Sequence, residues 1–100
     1  MSQQVEMSTL SMTSTVVASP QQLSCDVADE AVLLSMQTGE YYGLNPVAAS
    51  IWRLVQQPRT VGELVESLLA EYSGITRVDC EREVLGFLSE MIGLDLVEVR

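Results

Sequence analysis

The sequence predicts an α+β fold in which a three-stranded antiparallel sheet is followed by three helices. Two observations predict it. Between residues 22 and 44, short runs rich in β-favouring residues alternate with polar or glycine-containing turns. From residue 45 onward the apolar positions recur every three to four residues, and each such run opens on a residue type that caps helices.

Residues 1–20 are rich in Ser, Thr and Gln with isolated Met and Val, and they end at Pro20. Without a helical or alternating period they are expected to form a flexible N-terminal arm, with the folded domain spanning 21–100. Val16 and Val17 could extend a first strand, but Pro20 limits that option. The three expected strands are QLSCDV, AVLLSM and EYYGL, separated by turns at Ala28-Asp29-Glu30 and Gln37-Thr38-Gly39. Gly39 supplies the positive φ that so tight a hairpin demands.

Asn45 followed by Pro46 is a helix start, because the asparagine side chain accepts from free backbone N–H groups and proline at the first position gives up no bond. That helix is expected to reach about Gln56 and to stop at Pro58, with Trp52 anchored in the core. Thr60-Val61-Gly62-Glu63 reads as a capping box for a second helix, which breaks at Ser73-Gly74. A third opens near Thr76 and runs to Ile92 with Gly93 as its stop, and residues 96–99 form a short closing strand.

Composition excludes much chemistry. The chain has 100 residues and a formal charge of −9, from 14 acidic residues against five basic ones, with no histidine. All five basic residues are arginines, so a Ser-His-Asp or Cys-His pair, an imidazole metal ligand, a Schiff base and a phosphate-loop lysine are all ruled out. The sequence therefore predicts no enzyme, no catalytic residues, no metal and no cofactor. Scattered arginines in an acidic chain are poorly suited to nucleic acid or to an acidic membrane. Cys25 and Cys80 stand alone, outside any metal or redox spacing, and suit a reducing cytoplasm. No signal peptide or membrane-length apolar run is present, so a soluble, cytoplasmic protein is expected.

The third helix places Phe87, Cys80, Met91, Val84, Leu88, Ile92 and Leu85 on an apolar arc of roughly 160°, wider than one core-facing stripe needs. Either something further covers part of it, or the helix is central and covered by both neighbours. Strand 40–44 has no proline and one charge, so as a sheet edge it could accept an extended peptide, whose alternate side chains would fall toward the flanking helix.

The stretch VLLSMQTGEYYGLNPVAASIWRLV, followed by TVGELVESLLAEY and EVLGFLSEM, resembles the PqqD-like family of RiPP recognition elements, over about residues 22–97. The resemblance rests on Tyr41, Tyr42, Leu44 and Asn45, on Ile51 and Trp52, and on Val84, Phe87 and Leu88. It implies a winged helix-turn-helix-like fold that binds the leader of a ribosomally made precursor peptide by strand addition. Glu40, Tyr41, Tyr42, Gly43 and Leu44 would pair with the leader, while Cys80, Glu83, Val84 and Phe87 would face it from the third helix. Many members carry Asp where this chain has Glu83, which retains the carboxylate with a different reach.

The segment Thr-Gly-Glu-Tyr-Tyr-Gly-Leu-Asn-Pro is most similar to the stand-alone recognition proteins of lasso-peptide biosynthesis. That resemblance implies a cysteine-type leader peptidase as a partner and, downstream, an ATP-dependent macrolactam-forming cyclase. Two other classes stay open. One is a PqqD-type peptide chaperone for another modified-peptide or quinone cofactor pathway. The other is a winged-helix DNA-binding regulator, which Asp79, Glu81, Glu83 and Glu90 on the third helix disfavour. A carboxylate enzyme would need two acids in one cleft, and no spacing singles out such a pair.

Overall fold

The computed structural model describes residues 10–20, 22–27, 30–36 and 38–100. In chain order the elements are β1 (Thr15–Ala18), β2 (Gln22–Val27), β3 (Glu30–Ser35), β4 (Tyr41–Leu44), α1 (Pro46–Leu54), β5 (Arg59–Thr60), α2 (Val61–Glu71), α3 (Arg77–Gly93) and β6 (Val97–Val99). They form an α+β architecture with an antiparallel sheet of order β2-β3-β4 and a second sheet of order β5-β1-β6. The expected pairings of β2 with β3 and of β3 with β4 are present, as are the three helices, while Ala28, Asp29 and Gln37 of the expected turns lie outside the described residues. Among the described residues, no helix is long and apolar enough to cross a membrane.

Each helix begins where its cap predicts. The Asn45 side chain accepts from the Ala48 N–H at 2.8 Å, with Pro46 at the first turn of α1. Thr60 and Glu63 make the reciprocal capping box of α2, at 3.1 and 2.9 Å. Thr76 accepts from the Asp79 N–H at 3.1 Å to open α3. These helices bury one face each, through Ile51 and Trp52, through Leu64, Val65 and Leu68, and through Val84 and Leu88.

Three expectations are corrected. A loose arm through residue 20 does not describe residues 10–20, whereas residues 1–9 lie outside the described residues. β1 is the middle strand of the second sheet, pairing Val16 with Val99 and with Arg59. Val16 is wholly buried, and Pro20 falls past the strand's end instead of within it. The second correction concerns α1, which ends at Leu54 two residues short of the expected Gln56, with Val55 as its C-cap.

The third is the stop of α3. Gly93 remains helical, and the left-handed position falls on Asp95 at φ 61°. Asp95 N–H donates to the Ile92 carbonyl at 3.0 Å and Leu96 N–H to that of Met91 at 2.9 Å, the two bonds of a Schellman closure. Aspartate tolerates this conformation better than most residues, and buried Leu96 follows it into the core beside Met91.

Because β1 is structural, Val16→Ala should lower unfolding stability by about 2 kcal/mol through lost burial and a residual cavity. Urea denaturation checks this. A loss within experimental error of zero would mean that β1 is dispensable.

Candidate functional site

β4 is an edge strand. Among the described residues it pairs with β3 only, in the register Leu34–Tyr41, Leu33–Tyr42, Val32–Gly43 and Ala31–Leu44. Its entry is fixed by a glycine bulge. Gly39 N–H donates to the Ser35 carbonyl at 2.8 Å and Ser35 N–H to the Glu40 carbonyl at 3.0 Å, so Gly39 (φ 75°) and Glu40 together oppose Ser35.

That bond also sets the phase of the ladder. In an antiparallel pair the residues turn their backbone groups alternately toward and away from the partner. With Glu40 turned toward β3, Tyr42 and Leu44 follow it, and the N–H and C=O groups of Tyr41 and Gly43 face the open edge. Side chains alternate as well, with Leu44 buried and Tyr42 half-buried while Tyr41 is 72% exposed.

Between this edge and α3 lies a groove of about 540 Å³. Its walls are Tyr41, Tyr42, Gly43 and Leu44 on one side and Arg82, Glu83, Gly86, Phe87 and Glu90 on the other. Val47, Ala48, Ile51 and Met91 add apolar surface. The α3 wall is predominantly acidic, since Arg82 is engaged by Asp79 at 3.3 Å, one turn back. At the strand's start the Tyr42 hydroxyl donates to Glu40 Oε1 at 3.0 Å. Partial desolvation and that carboxylate hold the Tyr42 phenol above its ordinary pKa, so it stays a donor.

A second depression of about 540 Å³ adjoins the first, sharing Asn45, Val47, Arg82 and Glu83 and continuing to Tyr72 and Ile75. The Tyr72 hydroxyl ties its two sides together, donating to the Pro46 carbonyl at 3.1 Å and lying 2.9 Å from the Ser50 hydroxyl. Ser50, 2% exposed, also donates to Glu71 at 3.2 Å. The start of α1, immediately after β4, is thereby fastened to the end of α2.

Of the residues singled out from sequence, Tyr41, Tyr42, Gly43, Leu44, Glu83 and Phe87 come together in the groove. Glu40 sits beside it, bound to Tyr42. Cys80 and Val84 do not face the groove; both are wholly buried in the core, and the Cys80 thiol lies 3.7 Å from the Val65 carbonyl. The reason is helical phase. Val84 lies about 100° round α3 from Glu83, toward α2 and the core rather than β4. Arg82, Gly86 and Glu90 were not assigned to the site because polar residues and glycine on a helix read as a solvated face. Among the described residues no cluster of three or more His, Cys, Asp or Glu could hold a metal ion.

Residues 30–97 match the family model for Coenzyme PQQ synthesis protein D (PqqD). Among solved structures, TbiB1 in complex with the TbiA(beta) leader peptide is similar at 36% identity and a TM-score of 0.73, over 82% of this chain and 94% of that one. Lasso peptide synthetase B1 complexed with the leader peptide shares 23% identity at a TM-score of 0.72, over 83% of this chain and 96% of that one. The PqqD truncation of Methylobacterium extorquens PqqCD, a stand-alone RiPP recognition element, shares 18% identity at a TM-score of 0.75, over 93% and 98%. The last two likenesses speak to fold alone. No curated protein matches the chain significantly.

Burial pushes the Cys80 thiol above its ordinary pKa, so it is held neutral in the fold. A raised folded pKa contributes stability below the unfolded thiol's pKa, and that contribution is lost as pH rises through the folded value. With Cys25 replaced by serine, alkylation of Cys80 by iodoacetamide at pH 8 should be slower in the folded protein than in urea by on the order of 100-fold. Equal rates would place the thiol at the surface.

Proposed function

Because this chain belongs to the PqqD family, we propose that it is a non-catalytic recognition module for the leader segment of a ribosomally made precursor peptide. The observation that carries this reading is the open edge of β4, where the backbone groups of Tyr41 and Gly43 face a groove walled by α3. An extended leader adds there as a fourth strand of the β2-β3-β4 sheet. Its main-chain bonds fix the register, and its alternate side chains enter the space between β4 and α3. Glu83 and Glu90 on the groove wall favour a leader with basic residues nearby.

The precursor is of the lasso-peptide class, a reading supported by the likeness of the β4 segment to stand-alone lasso recognition proteins. Leader binding itself accords with TbiB1, 36% identical to this chain and solved with a leader peptide. In that setting the protein works in the cytoplasm and presents the leader to a separate cysteine-type peptidase, ahead of an ATP-dependent cyclase. It breaks no bond itself: its contribution is affinity and presentation. Leader cleavage by the neighbouring peptidase, measured with and without this protein, tests the presentation step.

Titration against the fluorescein-labelled leader of the precursor gene nearest its own, with duplex DNA as the control, tests the binding step. Saturable leader binding at micromolar affinity or tighter, with none to DNA, is expected; the converse would point to a winged-helix regulator. Gly43→Pro removes an N–H that faces the open edge rather than β3, so it should abolish leader binding while the circular dichroism spectrum is retained. Undiminished affinity in that variant would rule out strand addition.

A further inference from the structure

Gly86 is the tenth of the 17 residues of α3, deep inside the helix. An interior glycine weakens a helix relative to alanine, because it loses more backbone freedom on folding and brings no side chain to pack. Two structural needs commonly justify one, a left-handed backbone or a close neighbour. Neither applies here. Gly86 does not adopt positive φ, and a Cβ built on it meets nothing within 4 Å. The fold itself has no use for this glycine.

The groove does. Gly86 lies on its α3 wall between Glu83 and Glu90, with Phe87 alongside. On the opposite wall Gly43 also lacks a Cβ and also has nothing within 4 Å of where one would stand. Each wall of the groove thus lacks a side chain at one position, beside apolar surface supplied by the half-buried Phe87, Val47 and Ala48. Any side chain on Gly86 would project into the volume a peptide on β4 must use.

We propose that Gly86 is a specificity-determining residue, whose missing side chain opens a notch in the α3 wall for one bulky apolar side chain of the bound leader. This inference rests on the leader-binding reading and deepens it. The peptide residue at the notch is one of those that alternate toward α3 when the peptide pairs with β4. A bulky apolar group matches the surface there, and filling the notch from the protein side excludes it by overpacking.

The test compares Gly86→Ala and Gly86→Leu with Gly93→Ala, a helical glycine of α3 that also meets nothing within 4 Å and lies off the groove. Each variant is melted and titrated with the labelled leader described above. Gly86→Ala should raise Tm by about 2–6 °C, since it removes a helix-weakening residue without a clash. The same variant should weaken leader binding by roughly tenfold, and Gly86→Leu by more. Gly93→Ala should leave affinity unchanged.

An alanine scan of the leader then identifies the partner side chain. Its truncation should weaken binding to the native protein yet cost little in Gly86→Leu, because the two changes act on the same space. Unchanged affinity in both Gly86 variants overturns the proposal, as does an equal loss in Gly93→Ala or a loss that couples to no leader position. If the native protein itself binds no leader, the leader-binding reading falls and this inference falls with it.

Discussion

The structure turns on the unpaired edge of a short strand. β4 contributes four residues to its sheet, and pairing with β3 satisfies only every second one. Sheet edges are ordinarily shortened, charged or covered, because free N–H and C=O groups recruit any passing strand. Among the described residues this edge is short and still open, and its neighbours fix its two ends. The glycine bulge at Gly39 fixes its start, buried Leu44 anchors its end, and Asn45-Pro46 turns the chain at once into α1. A preorganised edge of this kind loses little conformational entropy when a partner strand is added.

α3 serves two neighbours with two adjoining faces. Cys80, Val84 and Leu88 close the core against α2, while Arg82, Glu83, Gly86 and Glu90 form the groove wall opposite β4. Phe87 and Met91 sit on the seam between these faces. Core packing therefore sets the distance from the groove wall to the strand edge, and a change in either layer is felt in the other. The Tyr72 hydroxyl, bonded to the Pro46 carbonyl, holds the near end of the groove in the same way.

Local chemistry was legible in the sequence wherever it was strong. Asn45-Pro46, the Thr60/Glu63 box and Thr76 mark the helix starts within a residue, and Gly39 marks the hairpin, because each acts through neighbours three or four positions away. β1 was not legible. Its two valines sit in a polar stretch, and its partners lie 43 and more residues along the chain, at Arg59 and Thr60 and at Val97 to Val99. No local pattern encodes such pairing. The site was half legible for a related reason. The family resemblance named Cys80 and Val84 beside Glu83 and Phe87, but those two lie on the apolar face of α3 that meets the core, while Arg82, Gly86 and Glu90 on the groove wall passed for solvated surface.

Hydrogen–deuterium exchange at single-residue resolution by NMR, with and without the leader, tests strand addition most directly. The Tyr42 and Leu44 amides face β3 and should already be protected in the free protein, while those of Tyr41 and Gly43 should exchange quickly. On leader saturation, Tyr41 and Gly43 should become protected and the pattern at Tyr42 and Leu44 should hold. A saturated complex in which the Tyr41 and Gly43 amides still exchange at their free rates would contradict the account, because the leader would then be held without pairing to β4.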